Sequence, residues 1–477
     1  MMGHMRVLLV AAEAAPWAKT GGLGDVVGAL PRHLHRLGVE VALALPKYRG
    51  LAGKPRVELR FPWLGKTVRA PVGQSTLPDS SVPVYLVEYP PYFDRAGIYG
   101  EQGRDYPDNL ARFAFFSQAA VHLGSALGWP PHILHAHDWH TALVPVMAKI
   151  ISLPVKTVLT VHNMAYAGWF PPEDWEKLAF PPEVWELVRG DGWGCALLGG
   201  LRAADFVTTV SPSYAEEILG EDHVLAEALR ARTGTFAGIL NGVDCTTWDP
   251  AQDGYLAEPW RKYTPGDVEA KRWNKRLLQR ELGLVEEEGP LVGMVARLVE
   301  QKGVELVVEA FDRLMALGIE LVILGTGEPR FESALQEAVL RHPGRATVLL
   351  VHSEAWAHRL IAGADVLLVP SRFEPCGLTQ LYALRYGTVP IVRSTGGLKD
   401  TVRDCAGTTA GNGFVFAEYT SEALLEAVSR AVRMYRTDPG AWQRVVLRGA
   451  AEDHCWDRAA RAYKELYHRL LGESVAQ

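Results

Sequence analysis

Short apolar runs rich in branched residues alternate with helical patterns along most of this chain. In the first half, residues 6–11, 39–45, 82–87, 133–137, 157–161 and 205–210 read as strands. Helical stretches lie between them, as at 109–127 and 142–150. The second half repeats the alternation. Residues 291–296, 320–325, 346–351, 364–370 and 388–392 are strand-like, and 304–317 and 331–341 read as helices. Strands alternating with helices predict parallel, doubly wound sheets in both halves, an α/β fold class of two Rossmann-like domains. A chain of 477 residues is too long for one comfortable core, so more than one domain is expected. The N-G turn in Asn241-Gly242-Val243-Asp244 marks the hinge, and the polar, aromatic stretch 248–263 reads as a connector. The expected boundaries are 1–244, 245–455 and a closing helix at 456–477. In that helix Trp456, Ala460, Tyr463, Tyr467 and Leu470 recur at helical spacing, and Asp457 is placed to cap it. Such a stripe must be buried, and the helix is expected to cross back to the first domain.

One phrase occurs twice. Lys19-Thr20-Gly21-Gly22-Leu23-Gly24-Asp25-Val26-Val27 returns as Ser394-Thr395-Gly396-Gly397-Leu398-Lys399-Asp400-Thr401-Val402. A glycine pair at a strand-to-helix turn lets backbone N–H groups approach an anion, and the helix N-terminus favours negative charge. Two such loops in opposite halves point to two similar domains that share one ligand. A tight turn repeated by chance is the alternative.

Composition narrows the classes. Hydrophobic residues make up 48% and charged residues 22%, ordinary for a globular protein. With 49 basic against 55 acidic residues the net charge is −6, so there is no electrostatic footprint for nucleic acid or an anionic membrane. No run approaches the roughly 18 apolar residues of a membrane span. The Met1–Met5 leader runs into an apolar stretch too short for a signal peptide and better read as the first strand. The five cysteines (Cys195, Cys245, Cys376, Cys405, Cys455) contain no CxxC pair, and so sparse and odd a set fits a reducing cytoplasm better than a disulfide framework.

The strongest chemical segment is Pro370-Ser371-Arg372-Phe373-Glu374-Pro375-Cys376-Gly377-Leu378-Thr379-Gln380. A buried run ends in a loop holding a carboxylate, then Gly, then a helix start. Ligands of parallel α/β sheets sit outside the carboxyl ends of strands. Glu374 is placed there to accept hydrogen bonds from sugar hydroxyls, and Gly377, Leu378 and Thr379 to offer N–H groups to a phosphate. A helix cap with an exposed Glu is the plainer reading. Arg297 and Lys302 follow another strand; Arg forks onto phosphate oxygens and Lys adds a point charge. Lys19 is a third candidate cation. Asp138 and His162 lie just beyond strand-like runs, on the same kind of edge.

The cluster His132, His135, His137, Asp138, His140 invites a metal reading, because it nearly matches the H-x-H-x-D-H phrase of binuclear zinc hydrolases. The offset is wrong: Asp138 follows His137 directly and would point to the other face of an extended strand end. No second cluster clearly completes a site, so no metal is expected. Trp169, Trp175, Trp185 and Trp193 crowd one stretch. Aromatic faces suit sugar rings, but large aromatics are more often core.

Taken together these phrases resemble the bacterial glycogen synthases and the related plant starch synthases. The carriers are Lys19-Thr20-Gly21-Gly22-Leu23, His135-Ala136-His137-Asp138-Trp139, Thr160-Val161-His162-Asn163, Asn241-Gly242-Val243-Asp244, Arg297 with Lys302-Gly303, Ser371 through Gln380, and Ser394-Thr395-Gly396-Gly397-Leu398. They occur in the family's order over nearly the whole chain. The resemblance implies the GT-B arrangement, two Rossmann-like domains facing across a cleft, the first on the acceptor side and the second on the donor side. It implies transfer of glucose from ADP-glucose to the non-reducing end of an α-1,4-glucan such as glycogen, with retention, by a cytoplasmic enzyme without a cofactor.

By the same resemblance Lys19, Arg297 and Lys302 hold the donor diphosphate, Glu374 binds glucose hydroxyls, and Asp138 and His162 sit beside the transferred sugar. The implied donor-binding set is Gly21, Gly22, Asn163, Asn241, His352, Cys376, Gly377, Leu378, Thr379 and Tyr382. Two positions depart from wider relatives. Tyr382 stands where many retaining GT-B enzymes carry a second Glu, and His352 where an aromatic Tyr commonly lies beside the nucleobase. No D-x-D sequence occurs, so protein cations must absorb the charge on the departing diphosphate. No glycosidase-type pair of carboxylates stands out, which favours front-face attack over double displacement. Closure of the domains is expected to bring Lys19 to the phosphates and exclude water. The rival readings are a GT-B transferase using UDP-glucose or a small sugar acceptor, a glucan phosphorylase-like enzyme, a non-catalytic glucan binder and a zinc hydrolase.

Overall fold

In this computed structural model residues 5–101, 103–178, 180–406 and 408–472 are described. The first four residues of the leader and residues 473–477 lie outside them. The chain divides into two compact units, Met1–Gly242 with Trp456–Gln477, and Val243–Cys455.

The first unit is built on a nine-stranded sheet. Its order is Phe236–Gly238, Phe206–Thr209, Lys156–Val161, Ile133–His137, Arg6–Val10, Glu40–Pro46, Pro83–Val87, Lys66–Thr76 and Lys54–Trp63. The first seven of these run parallel, and the last two form an antiparallel hairpin on the edge. Arg6–Val10 and its neighbours are buried almost throughout, as a sheet covered on both faces requires. The hairpin escaped the sequence reading. Its turn is Leu64-Gly65, both with positive φ (48° and 73°), and Leu supplies no turn signal where Asn or Asp usually stands.

The closing helix, Trp456–Leu470, belongs to this unit. It buries Trp456, Ala459, Ala460, Tyr463, Leu466 and Tyr467, while Leu470 is only half-buried. It packs beside Gly22–Arg36, where Lys464 Nζ donates to the Leu37 carbonyl at 2.7 Å. Asp457 does not precede the helix as a cap; it lies in the first turn and bonds His33 Nδ1 at 2.8 Å.

The second unit carries a six-stranded, fully parallel sheet. Its order is Ala346–Leu349, Glu320–Leu324, Leu291–Val295, Val366–Val369, Val389–Arg393 and Phe414–Phe416. Helices such as Val304–Ala316 and Ser421–Thr437 bury apolar faces against one side; Val268–Glu281 and Glu354–Gly363 belong with the other. Both sheets have the doubly wound order, and each reverses direction beside its first strand.

The cysteine reading needs correction. Cys245 and Cys455 form a disulfide, with Cα atoms 5.6 Å apart across a sequence separation of 210. Spacing along the chain gave no hint of it, because the pairing comes from the two ends of the second unit returning to one place. Val243 N–H donates to the His454 carbonyl at 2.7 Å beside it. Cys195, Cys376 and Cys405 are free thiols. Titration of the unreduced, denatured protein should therefore find three thiols rather than five. Cys455→Ser should destabilise the second unit by about 2–4 kcal/mol, the usual effect of opening a long covalent loop, as read by denaturant unfolding. Five thiols, or an unchanged midpoint, would refute the bridge or its structural role.

Candidate active site

Where a parallel sheet reverses its winding, the crossovers leave on opposite faces and open a crevice at the carboxyl ends of the two central strands. In the first unit those strands are Arg6–Val10 and Ile133–His137; in the second they are Leu291–Val295 and Val366–Val369. Most candidate residues follow these four strand ends or their neighbours; Asn241 and His352 follow edge strands, Phe236–Gly238 and Ala346–Leu349.

After Arg6–Val10 the chain passes through Glu13 and Lys19 into the helix Gly22–Arg36. Glu13 is buried, and its carboxylate organises the loop. It accepts the Thr20 N–H and Thr20 Oγ–H, each at 2.7 Å, the Gly21 N–H at 3.3 Å and the Tyr99 hydroxyl at 2.6 Å. The Gly21 amide, expected to meet a phosphate, is thus turned toward the chain's own anion. Gly22 opens the helix. Lys19 Nζ lies 2.7 Å from Asp25 in the helix's first turn.

Asp138 directly ends Ile133–His137, with φ +56°, in the left-handed region uncommon for a residue other than Gly. The carboxylate is thereby not on an extended strand face; its Oδ1 accepts the His162 N–H at 2.6 Å. Burial pushes the Asp138 carboxyl up to about 7, with Glu13 adding to the rise and the His162 and Asn163 amides opposing it. His162 follows Lys156–Val161, the neighbouring parallel strand, and burial pulls its imidazole down to about 3. Asn163 Oδ1 accepts the Ala165 N–H at 3.0 Å, fixing the turn that follows. Asn241 is buried, its N–H reaches the Val210 carbonyl at 3.3 Å, and its Oδ1 is sealed without a partner among the described residues.

The histidines of the metal reading point elsewhere. His135 is enclosed, bonded to the Tyr467 hydroxyl at 2.7 Å and to Thr160 Oγ at 2.6 Å. His140 stacks on Tyr99. His132 accepts the Arg6 N–H at 3.1 Å. Among the described residues no three His, Cys, Asp or Glu side chains converge as a metal site. Of the tryptophans, Trp169 and Trp193 are exposed on a small antiparallel sheet, while Trp175 and Trp185 pack edge to face.

In the second unit Arg297 follows Leu291–Val295, exposed and without an ion pair among the described residues. Lys302 Nζ lies 2.6 Å from Glu374 Oε2, which also accepts Ser371 Oγ–H at 2.8 Å. Gly303 has φ +69° and sits against the Pro370 carbonyl, where a Cβ would come to 2.0 Å, so only Gly lets the two loops touch. The second TGG phrase serves the same purpose. Gly397 N–H donates to the Glu374 carbonyl at 3.0 Å, and a Cβ on Gly396 would lie 2.0 Å from that oxygen. These glycines bring backbone against backbone and hold the Glu374 loop in place.

Gly377 (φ +71°), Leu378 and Thr379 lead into Thr379–Arg385, and Gln380 Nε2 braces the turn through the carbonyls of Cys376 and Gly377. Cys376 is buried. His352 is exposed beyond Ala346–Leu349. Tyr382 is buried, with its ring stacked on Trp248 at 3.7 Å between centroids. Sequence reasoning missed Glu13 and Tyr99, named Ser371 without a role, and took His137 only as part of the metal-like cluster. Glu13 had left a signal: a lone carboxylate in an apolar stretch just past a buried strand.

Because Asp138 has its folded pKa near 7 and an ordinary unfolded value near 4, the folded state keeps a proton that the unfolded chain has already lost between those limits. Stability therefore falls as pH rises from about 4 to about 7, and the cost is complete above that. Asp138→Asn does not titrate, keeps a carbonyl for the His162 amide and tolerates positive φ. Denaturant unfolding should show the variant gaining on the parent from about pH 4.5 to about pH 7.5. An equal gap at both ends would remove the buried, proton-holding carboxyl.

Comparison with known proteins bears on the same segments. The family described as the starch synthase catalytic domain matches residues 6–231, and the family of glycosyl transferases group 1 matches residues 276–439. The chain is 46% identical over 482 residues to a glycogen synthase of Anaeromyxobacter dehalogenans (strain 2CP-C), covering 98% of this chain and 100% of that one. It is 42% identical to glycogen synthase 2 of Nitrosococcus oceani, over 99% of this chain and 98% of the relative. The solved catalytic domain of starch synthase IV from Arabidopsis thaliana, bound to ADP and acarbose, matches with a TM-score of 0.89 and 34% identity, over 99% of this chain and 100% of that one. A sucrose-phosphate synthase from Thermosynechococcus elongatus shares the fold, with a TM-score of 0.64 and 20% identity over 99% of this chain and 100% of that one.

Proposed function

The chain belongs to the glycogen and starch synthase family of GT-B glycosyltransferases, and from that premise we propose how its residues work. The reaction is transfer of glucose from ADP-glucose to the non-reducing end of an α-1,4-glucan, glycogen, with retention at the anomeric carbon. The setting is the cytoplasm; family membership supports this, and the cysteine pattern no longer does. No helix among the described residues is long and apolar enough to cross a membrane.

One observation carries the assignment of residues. The groups the chemistry needs follow the strand ends at the two switch points: Lys19 and Asp138 in one unit, Arg297, Lys302 and Glu374 in the other. Lys302 and Arg297 hold the donor diphosphate, and Lys19 adds a third cation. Together they absorb the charge that grows as the bond from C1 to the β-phosphate oxygen breaks. Glu374, fixed by Ser371 and Lys302, accepts hydrogen bonds from glucose hydroxyls. Gly377, Leu378 and Thr379 meet the phosphates, and His352 lies toward the base.

Attack is on the front face. The bond pair leaves C1 with the phosphate, the acceptor hydroxyl adds from the same side, and its proton passes to the departing phosphate oxygen. Asp138 is a poor nucleophile for double displacement, since one oxygen is committed to the His162 amide and burial favours its protonated form. Its role is to line the sugar with His162.

Lys302→Ala and Lys19→Ala should each lower kcat/KM for ADP-glucose by roughly 10- to 100-fold, the worth of one charge-assisted contact of ~1.5–3 kcal/mol. The assay is transfer of labelled glucose into glycogen with EDTA present, with circular dichroism as the folding control. Labelling from ADP-glucose should exceed that from UDP-glucose. Near-parent turnover in either variant would remove that lysine from the site, and a preference for UDP-glucose would overturn the donor.

A further inference from the structure

Three buried imidazoles line up in the first unit. His135 stacks on His137 with 4.3 Å between centroids, and His137 Nδ1 lies 3.0 Å from His162 Nε2. His137 is held by its own backbone, whose N–H donates to Thr141 Oγ at 2.7 Å, while that hydroxyl contacts the Val10 carbonyl at 3.1 Å. Burial keeps all three rings below the ordinary histidine range, so each is neutral and carries a single ring proton. His135 uses both nitrogens, on Tyr467 and Thr160. His137 Nε2 is different: it is sealed and has no partner among the described residues.

That asymmetry decides where the protons sit. If His162 Nε2–H donated to His137 Nδ1, the His137 proton would lie on Nε2, as a sealed N–H with no acceptor. If His137 Nδ1–H donates, Nε2 is only a bare lone pair. A buried N–H without an acceptor is the rarer and costlier defect. The second arrangement therefore holds, and the proton of His162 is on Nδ1, because the partner of one ring nitrogen fixes the other. His162 Nδ1 has no partner among the described residues and is not among the sealed atoms.

We propose that His137 is a positioning residue that locks His162 as the Nδ1–H tautomer, so that His162 meets a sugar oxygen as a neutral hydrogen-bond donor. The tautomer stands on the geometry and on the burial that keeps the rings neutral. Only the identity of the acceptor, a hydroxyl oxygen of the transferred glucose, rests on the glucosyl-transfer reading above.

The test is imidazole nitrogen NMR on the full-length, unliganded protein, with His162 assigned by its absence in His162→Gln. The expected result is a protonated Nδ1 and an unprotonated Nε2 on His162. The reverse pattern in the parent protein overturns the proposal, whatever the variants do. His137→Met replaces the donor with a thioether that can only accept, and should draw the His162 proton to Nε2, lowering kcat roughly 10-fold, the worth of one lost hydrogen bond, with KM for glycogen unchanged. His137→Asn places an amide N–H near the lost Nδ1–H and should restore the Nδ1–H tautomer and most of the turnover. A His137→Met protein with parent tautomer and parent kcat would also overturn it. If the parent has the expected tautomer but moves no glucose from ADP-glucose, the functional reading falls and the tautomer stands.

Discussion

Each sheet changes its winding direction beside its first strand, and this topological constraint decides where chemistry can sit in the chain. The parallel strands are covered on both faces, so their interiors are close to purely apolar. Polar groups can gather only where the strands stop and the crossovers diverge. Glu13, Lys19 and Asp138 do so in one unit, and Arg297, Lys302, Ser371 and Glu374 in the other. His135 and His137, with Thr160 and Thr208 beside them, are exceptions. The two histidines lie within a strand, and most of their nitrogens find partners because the closing helix delivers Tyr467, and the neighbouring strand and its end deliver Thr160 and His162.

At these strand ends the chain supplies anions of its own. Glu13 fills the amide nest before the first helix, Asp25 holds Lys19, and Glu374 holds Lys302. An anionic ligand that engages Lys19 or Lys302 must displace a carboxylate, whereas Arg297 has no ion pair among the described residues. That requirement discriminates by charge and geometry. A diphosphate can engage several cations at once, whereas a single carboxylate or chloride offers little more than the partner already there. The same internal pairs keep the loops in shape, so less ordering remains to be done on binding.

Much of the fold was legible because it depends on periodicity. Buried parallel strands such as 133–137 and 157–161 announce themselves as short apolar runs, and the strand-helix alternation fixes the fold class. What stayed hidden depends on contacts between distant positions. The Cys245–Cys455 bridge joins residues whose spacing says nothing, and the 54–76 hairpin turns on a Leu-Gly pair outside the usual turn vocabulary. Phe236–Gly238 and Phe414–Phe416 are too short for a two-residue period to register. At the candidate site, residue types singled out particular segments, but the partners of each side chain did not follow from type. The twin TGG phrases look alike, yet one is capped by a carboxylate and the other lies against a neighbouring loop's backbone. A glycine pair records that something comes close; it does not say what.

Asp138 gathers three unfavourable features on one residue: a positive φ, burial, and a carboxyl held far above its usual range. Each lowers stability on its own, and none helps the sheet. Glycine would relieve the backbone, but it would leave the His162 amide without its side-chain acceptor. Asn would relieve the charge, but it could no longer become an anion. The left-handed turn sets the carboxylate against the His162 amide at the end of the neighbouring strand. Local cost of this kind persists where the aim of a side chain matters more than its comfort. The large cores of the two units supply the surplus that tolerates it.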